Sequence, residues 1–177
     1  WVWDALKHAE KKDVLVINAA GNSGKNVDPG YDKSFITDEK EGVEIVSNFI
    51  TVGASSSSYG EDQIASFSNY GKKNVDVFAP GNTIWSSVPN DRFDYYDGTS
   101  MAAPNVSGVA AVLRSYFPKI SASQIKQILI KSGLPVYSQI LDPEEGGLIS
   151  PSKISRSGKV VNLYNALIFA SNKLYKK

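Results

Sequence analysis

Three short apolar runs constrain this chain more than anything else in it: VLVI at residues 14–17, FITVGA at 49–54 and VDVFA at 75–79. They are rich in β-branched residues and too short for helices. The first two show no polar alternation, the mark of strands buried on both faces and hence of a parallel sheet covered by helices. Small or turn-forming residues end each run: NAAGNSG at 18–24, four serines at 55–58, and Pro80–Gly81.

Helical patterns alternate with these runs. WDALKHAEKK at 3–12 places Trp3, Ala5, Leu6 and Ala9 at helical spacing, with charges on the other side. Residues 99–117 form one long helical stretch whose inner positions are Ala102, Val106, Val109, Ala110, Val112 and Leu113. Small or apolar residues surround most of its circumference, so it is expected to be buried against the sheet. Pro104 sits in its early turns and Pro118 ends it. SASQ at 121–124 is a capping-box pattern ahead of an amphipathic helix carrying Ile125, Ile128 and Leu129. A last helix carries Ala166, Leu167 and Ala170. Extended pieces at 84–88 and 93–96 flank a turn at Asn90–Asp91. The polar residues 25–47, with a turn at 28–31, and the turn-rich residues 134–158 read as loops. The predicted fold class is α/β, a mostly parallel sheet with helices on both faces.

At 177 residues, 42% hydrophobic and 21% charged, the chain is long enough for one domain with a sizeable core or a large piece of a bigger one. A formal net charge of +1 gives no electrostatic case for nucleic acid or an anionic membrane. KLYKK at 173–177, the one basic cluster, reads as a solvated tail. No apolar stretch reaches the length of a membrane span. Absence of cysteine excludes disulfides and thiolate chemistry. The acids do not fall at metal-ligand spacing, so no metal ligand is assigned. Gly21, Gly24 and Gly30 do not make a dinucleotide or phosphate fingerprint. The sequon at Asn105 falls in the helix expected to be buried and is discounted. The chain starts at Trp1 with no visible signal peptide, and it is expected to be an excised or processed piece of something longer.

GTSMAAP at 98–104 raises the chemical question. A serine hydroxyl is a poor nucleophile unless a base takes its proton. Ser100 stands at a helix start, where free N–H groups and the helix dipole receive negative charge. Thr99 or Ser100 as a plain helix cap is the other reading. Asn22, on a glycine-flanked turn after a strand, is either a turn residue or an amide donor at the carboxyl edge of the sheet. His8, the single histidine, belongs to a Lys/Glu-rich outer helix and reads as a solvated surface residue. Asp97 reads as a turn or cap carboxylate.

GTSMAAP is similar to the nucleophile motif of the subtilisin family of serine peptidases, the subtilases, and AAGN at 19–22 resembles its oxyanion-asparagine motif. NFITVGAS at 48–55, FSNYG at 67–71, VDVFAPG at 75–81, GVAA at 108–111 and NLYNAL at 162–167 resemble the family's segments between and after these two. The likeness covers nearly the whole chain, except roughly 25–47 and 134–158. It implies a subtilisin-like sheet and a polypeptide substrate. It also implies Ser100 as nucleophile, Asn22 with the Ser100 N–H as oxyanion donors, and Ala19, Ala20 and Gly21 as one wall of the substrate pocket. It implies a place outside the cell or on its surface, and no cofactor, although it allows calcium in the parent protein with no ligand set legible here.

The family runs aspartate, histidine, serine along the chain. Its Asp-x-Gly and His-Gly-Thr motifs do not occur here, and Asn105 stands where the family often has histidine. Residues 1–177 are therefore expected to be the C-terminal half of a subtilase catalytic domain, with an insertion near the cleft at 25–47 and the N-terminal part missing. The parent is expected to be a serine endopeptidase and this chain alone inactive. The alternative is a non-catalytic binding or structural module on a degenerate subtilase fold, against which the retained Ser100 and Asn22 speak. Asn22 and Ser100 are expected to meet at one edge of the sheet. The sheet edge left open by the missing part is expected to drive self-association.

Overall fold

The computed structural model describes residues 1–28, 36–41, 43–142 and 146–174. Helix α1 (Val2–Lys11) leads into strand β1 (Val16–Ala19), followed by the short hairpin β2 (Glu39–Lys40) and β3 (Val43–Glu44). Strands β4 (Phe49–Ser55) and β5 (Val77–Pro80) come next, then the hairpin β6 (Ile84–Val88) and β7 (Arg92–Tyr96). Helices α2 (Thr99–Tyr116) and α3 (Ala122–Ser132) precede the short strands β8 (Leu134–Pro135), β9 (Ile140–Leu141), β10 (Leu148–Ile149) and β11 (Lys159–Val160), and α4 (Leu163–Leu174) closes the chain. The turn expected at 28–31 and the tail at 173–177 fall mostly outside the described residues.

The main sheet has the order β1-β4-β5-β11-β8. Its first three pairings are parallel and the last, β11 with β8, is antiparallel. Every residue of β4, the most central of the predicted runs, is buried. Its alternate side chains supply two cores. Ile50, Val52 and Ala54, with Val77 and Ala79 of β5, pack under α2, α3 and α4 through Ala102, Val106, Leu113, Ile125, Leu129 and Ala166. On the opposite face Phe49 joins Leu6 of α1, while Phe78 joins Ile140 and Ile154 of the 134–158 segment. Burial of each of the larger side chains among these contributes roughly 1.5–3 kcal/mol, which makes this two-sided packing the main source of stability. Helices thus flank both faces, as expected.

Three local expectations change. The first strand begins at Val16 and not Val14, because its first ladder bond runs from the Val16 N–H to the Asn48 carbonyl; Val14 is half exposed. The 134–158 segment is not a bare loop: β8 extends the main sheet and β9 pairs with β10. Helix α2 is buried on one face only, through Thr99, Ala102, Val106, Ala110 and Leu113. Its small residues Ser107, Gly108 and Ala111 are exposed. A groove of about 430 Å³ lies there, lined by Val14, Leu15 and Ile17 beside Ser107, Ala111 and Arg114. Beside this groove β1 pairs only with β4, so its other edge is open among the described residues. Asn105 is likewise exposed, which removes the burial argument against its sequon; its side-chain amide instead donates to the carbonyls of Pro80 (3.0 Å) and Met101 (3.1 Å).

The described part of residues 25–47 is fastened by charge at the amino end of β5, the end away from α2's first turn. Lys126 of α3 is buried, with its ammonium 2.8 Å from Glu44 and 3.6 Å from Asp38. Arg156 reaches Glu44 at 2.6 Å and Asp76 at 3.3 Å, and Asp76 accepts the Thr51 N–H at 2.8 Å. These acids converge on basic side chains, and among the described residues no group of three or more His, Cys, Asp or Glu is placed to hold a metal ion.

Burial pushes the Asp38 carboxyl up from 3.8 to about 6, against the pull of Lys126. Burial raises Asp76 as well. Burial also opposes ionisation of Glu44, but the Lys126 and Arg156 contacts outweigh it and hold that carboxyl low. A carboxyl whose folded value exceeds its unfolded one binds its proton more tightly when folded. Its contribution is complete below the unfolded value and is lost as pH rises through about 6. Acidifying from about pH 7.5 to about 5 is thus expected to add on the order of 1 kcal/mol through Asp38. Urea unfolding of the wild type and of Asp38→Asn at the two pH values checks this. The substitution should remove that increment, and an unchanged pH dependence would contradict the assignment.

Candidate active site

Strand β1 ends at Ala19, and the chain turns at Gly21, whose φ of +95° lies in the region that favours glycine. Ala20 is fully buried in the second core, and its carbonyl accepts a bond from the Asn69 side chain at 2.9 Å. Any wall that Ala20 offers a ligand is therefore backbone. Ala19 and Gly21 keep partial exposure. Asn22 follows and is exposed.

Asn22 is pinned from across the sheet. Its Oδ1 accepts the backbone N–H and the hydroxyl of Thr99, both at 2.9 Å, and the Thr99 hydroxyl accepts the Gly21 N–H at 3.0 Å. A backbone N–H can only donate, so the atom facing it must be the amide oxygen, which fixes the orientation of the group. The Asn22 Nδ2 then points the other way, with no protein acceptor among the described residues. Thr99, buried and 77 positions from Asn22, is thus the fastener between β1's end and α2's start.

Ser100 is the second residue of α2, after the N-cap Gly98. It is exposed, and its hydroxyl has no hydrogen-bond partner among the described residues. The N-cap Gly98 makes no side-chain cap bond, and neither the Thr99 nor the Ser100 hydroxyl accepts a first-turn N–H of α2, so the capping reading of Thr99 and Ser100 does not hold; the side chain that reaches this end is that of Asn22. Of the first N–H groups of α2, that of Thr99 goes to Asn22 and those of Met101 and Ala102 to the Gly98 carbonyl; the Ser100 N–H has no partner among the described residues and has the positive end of the helix dipole behind it. Gly98, at φ +152°, borders that space. An atom at the Cβ position that Gly98 lacks would stand 3.2 Å from Asn22 Nδ2 and 3.6 Å from the Ser100 backbone nitrogen. Two unused donors therefore border the same small volume, beside a free hydroxyl.

The surroundings define an open cleft. A groove of about 610 Å³ runs from Ser100, Met101 and Pro104 along Ile84, Val88 and Tyr96 of the β6–β7 hairpin. Asp97 is a turn carboxylate, accepting bonds from the Thr83 N–H and from Asn82 Nδ2 (3.2 Å). His8 is exposed in the last turn of α1, toward the start of β1 and thus away from the strand end that carries Asn22. The arrangement can donate two hydrogen bonds to one oxygen next to a serine hydroxyl. Among the described residues no histidine is positioned to take the proton of that hydroxyl.

The mostly parallel α/β sheet thus carries a serine at a helix N-terminus and an amide donor at its strand ends. The sequence matches the Subtilase family (peptidase S8) over residues 1–155. The chain belongs to the subtilase family. It is 37% identical over 138 residues to the major intracellular serine protease of Bacillus subtilis, covering 75% of this chain and 40% of that protein. It is 35% identical over 133 residues to the cell wall-associated protease of the same organism, covering 75% of this chain and 13% of that protein. Among solved structures, a chain of the subtilase cytotoxin SubAB assembly superposes with a TM-score of 0.73 at 24% identity, covering 98% of this chain and 55% of that one, which is a likeness of fold. The chain therefore spans about half or less of the length of the relatives it matches.

Proposed function

We propose that these residues form the C-terminal half of a subtilase catalytic domain whose parent protein is a serine endopeptidase, with Ser100 as nucleophile. The observation that carries this reading is the pinned Asn22 amide, whose free Nδ2 borders the same volume as the Ser100 N–H. In the proposed reaction Ser100 Oγ attacks the carbonyl carbon of a peptide bond and its proton passes to a histidine supplied by the upstream part of the domain. The negative charge moves to the carbonyl oxygen, which Asn22 Nδ2 and the Ser100 N–H receive. The C–N bond then breaks, the amine leaves with the proton, and water hydrolyses the acyl-enzyme. Ala19, Ala20 and Gly21 supply backbone along one wall of the substrate pocket.

The open edge of β1 and the bare small-residue face of α2 support the same reading: a parallel strand and a helix have room to dock there. Copies of the chain without that partner would pair through this surface. The relatives' names divide on compartment, since one is called intracellular and one cell wall-associated, and the latter supports our placement of the parent at the cell surface or outside the cell. The test is kinetic. The parent chain, carrying its upstream segment, should cleave a peptide ester or anilide with an initial burst of about one acyl group per active site, the mark of a covalent intermediate. No turnover by that longer chain would refute the proposal.

A further inference from the structure

We infer that Asn69 is a positioning residue for the oxyanion amide, acting through the loop that carries Asn22. This rests on the proposed role of Asn22. Asn69 is buried, and its polar groups are spent on the residues around Asn22. Its Nδ2 donates to the Ala20 carbonyl at 2.9 Å, and its backbone N–H donates to the Gly21 carbonyl at 2.9 Å. Its Oδ1 accepts the N–H groups of Ser23 and Lys25, both at 3.0 Å. The two residues before Asn22 and two of the three after it are thus held by one residue. Gly21 packs directly on the Asn69 amide; a Cβ there would lie 2.5 Å from Asn69 Nδ2.

Asn69 is itself tied to the centre of the sheet. The preceding Ser68 is fully buried, accepts the Ala54 N–H of β4 at 2.9 Å, and donates to the Asn69 carbonyl at 3.0 Å. A chain of contacts therefore runs from β4 through Ser68 and Asn69 to the 20–25 loop, then through Asn22 and Thr99 to the start of α2. Only a planar amide supplies the donor and the double acceptor that this position uses. Aspartate keeps the acceptor but turns an oxygen toward the Ala20 carbonyl, and alanine offers neither. Displacing a donor in a preorganised site by about 1 Å costs on the order of 100-fold in rate.

The experiment uses the parent chain with its upstream segment and compares Asn69→Ala, Asn69→Asp, Asn22→Ala and the double variant Asn22→Ala/Asn69→Ala. Asn69→Ala and Asn69→Asp should each lower kcat by about 10- to 100-fold while KM stays within about threefold. The double variant should fall within about twofold of Asn22→Ala alone, because Asn69 works through that side chain. Backbone hydrogen exchange should speed up at Ser23 and Lys25 in Asn69→Ala and stay slow in β4. Wild-type kcat in Asn69→Ala, losses that multiply in the double variant, or protection lost uniformly across the sheet would each overturn the inference. A wild-type parent with no turnover would defeat the peptidase proposal instead. The exchange measurement would then decide this one: retained protection at Ser23 and Lys25 in Asn69→Ala would overturn it.

Discussion

Replacing Ser100 by alanine in the parent chain is expected to lower peptide turnover by about a millionfold, the magnitude known for loss of the serine in subtilisin. The hydroxyl is exposed, makes no bond to described residues and caps nothing, so removing it costs little in stability. Substrate affinity should change far less than kcat, since the groove along the β6–β7 hairpin remains. The companion variant His8→Ala should leave turnover unchanged, because His8 belongs to the exposed last turn of α1. Steady-state kinetics of both variants, with unfolding curves to show that each is folded, check the pair. A Ser100→Ala protein that retained a tenth of the wild-type rate would remove Ser100 from the chemistry.

Asn22→Ala is expected to lower kcat by roughly 100- to 1,000-fold with a small change in KM, the range known for loss of one oxyanion donor in subtilisin, a family relative. The substitution removes the Nδ2 donor and, with it, the acceptor for the Thr99 N–H and hydroxyl. Thr99 keeps its bond from Gly21, so the fastening between β1's end and α2 is weakened and not lost. Asn22→Asp separates the two effects. It preserves an oxygen toward Thr99 but places negative charge where the oxyanion would form, and it should be the slower enzyme of the two. Equal or higher kcat in Asn22→Asp would show that the side chain's role is structural.

The central elements were legible in the sequence because their signals are local. The apolar run of β4, the capping box of α3 and the GTSMAAP start of α2 are each set by neighbours within a few residues. Strands β8 to β11 were not, because two-residue strands are defined by their ladder partners and carry no pattern of their own. Nothing local in the sequence marks Lys126 of α3 as buried; only the arrival of Asp38 and Glu44 from a distant segment makes burial of its charge tolerable. The small and apolar circumference of α2 predicts burial against the sheet, and one face meets that expectation, whereas Ser107, Gly108 and Ala111 on another face are exposed. At the candidate site Ser100 and Asn22 were legible from motif and turn chemistry. Thr99's clamp and Asn69's four bonds were not, since they join residues 44 to 78 positions apart. The asparagine in FSNYG is the one local signal for the latter, and its burial beside the 20–25 loop is visible only in the fold.

The most direct test of the account is the site of covalent labelling by a fluorophosphonate probe, mapped by mass spectrometry on two proteins: the 177-residue chain alone and the parent chain carrying its upstream segment. A serine without a base does not displace fluoride from phosphorus at a useful rate, whereas one beside a histidine does. One adduct, on Ser100, is expected in the parent chain and none on the shorter chain. Rapid labelling of Ser100 in the 177-residue chain by itself, or a folded parent chain that leaves Ser100 unmodified, would contradict it.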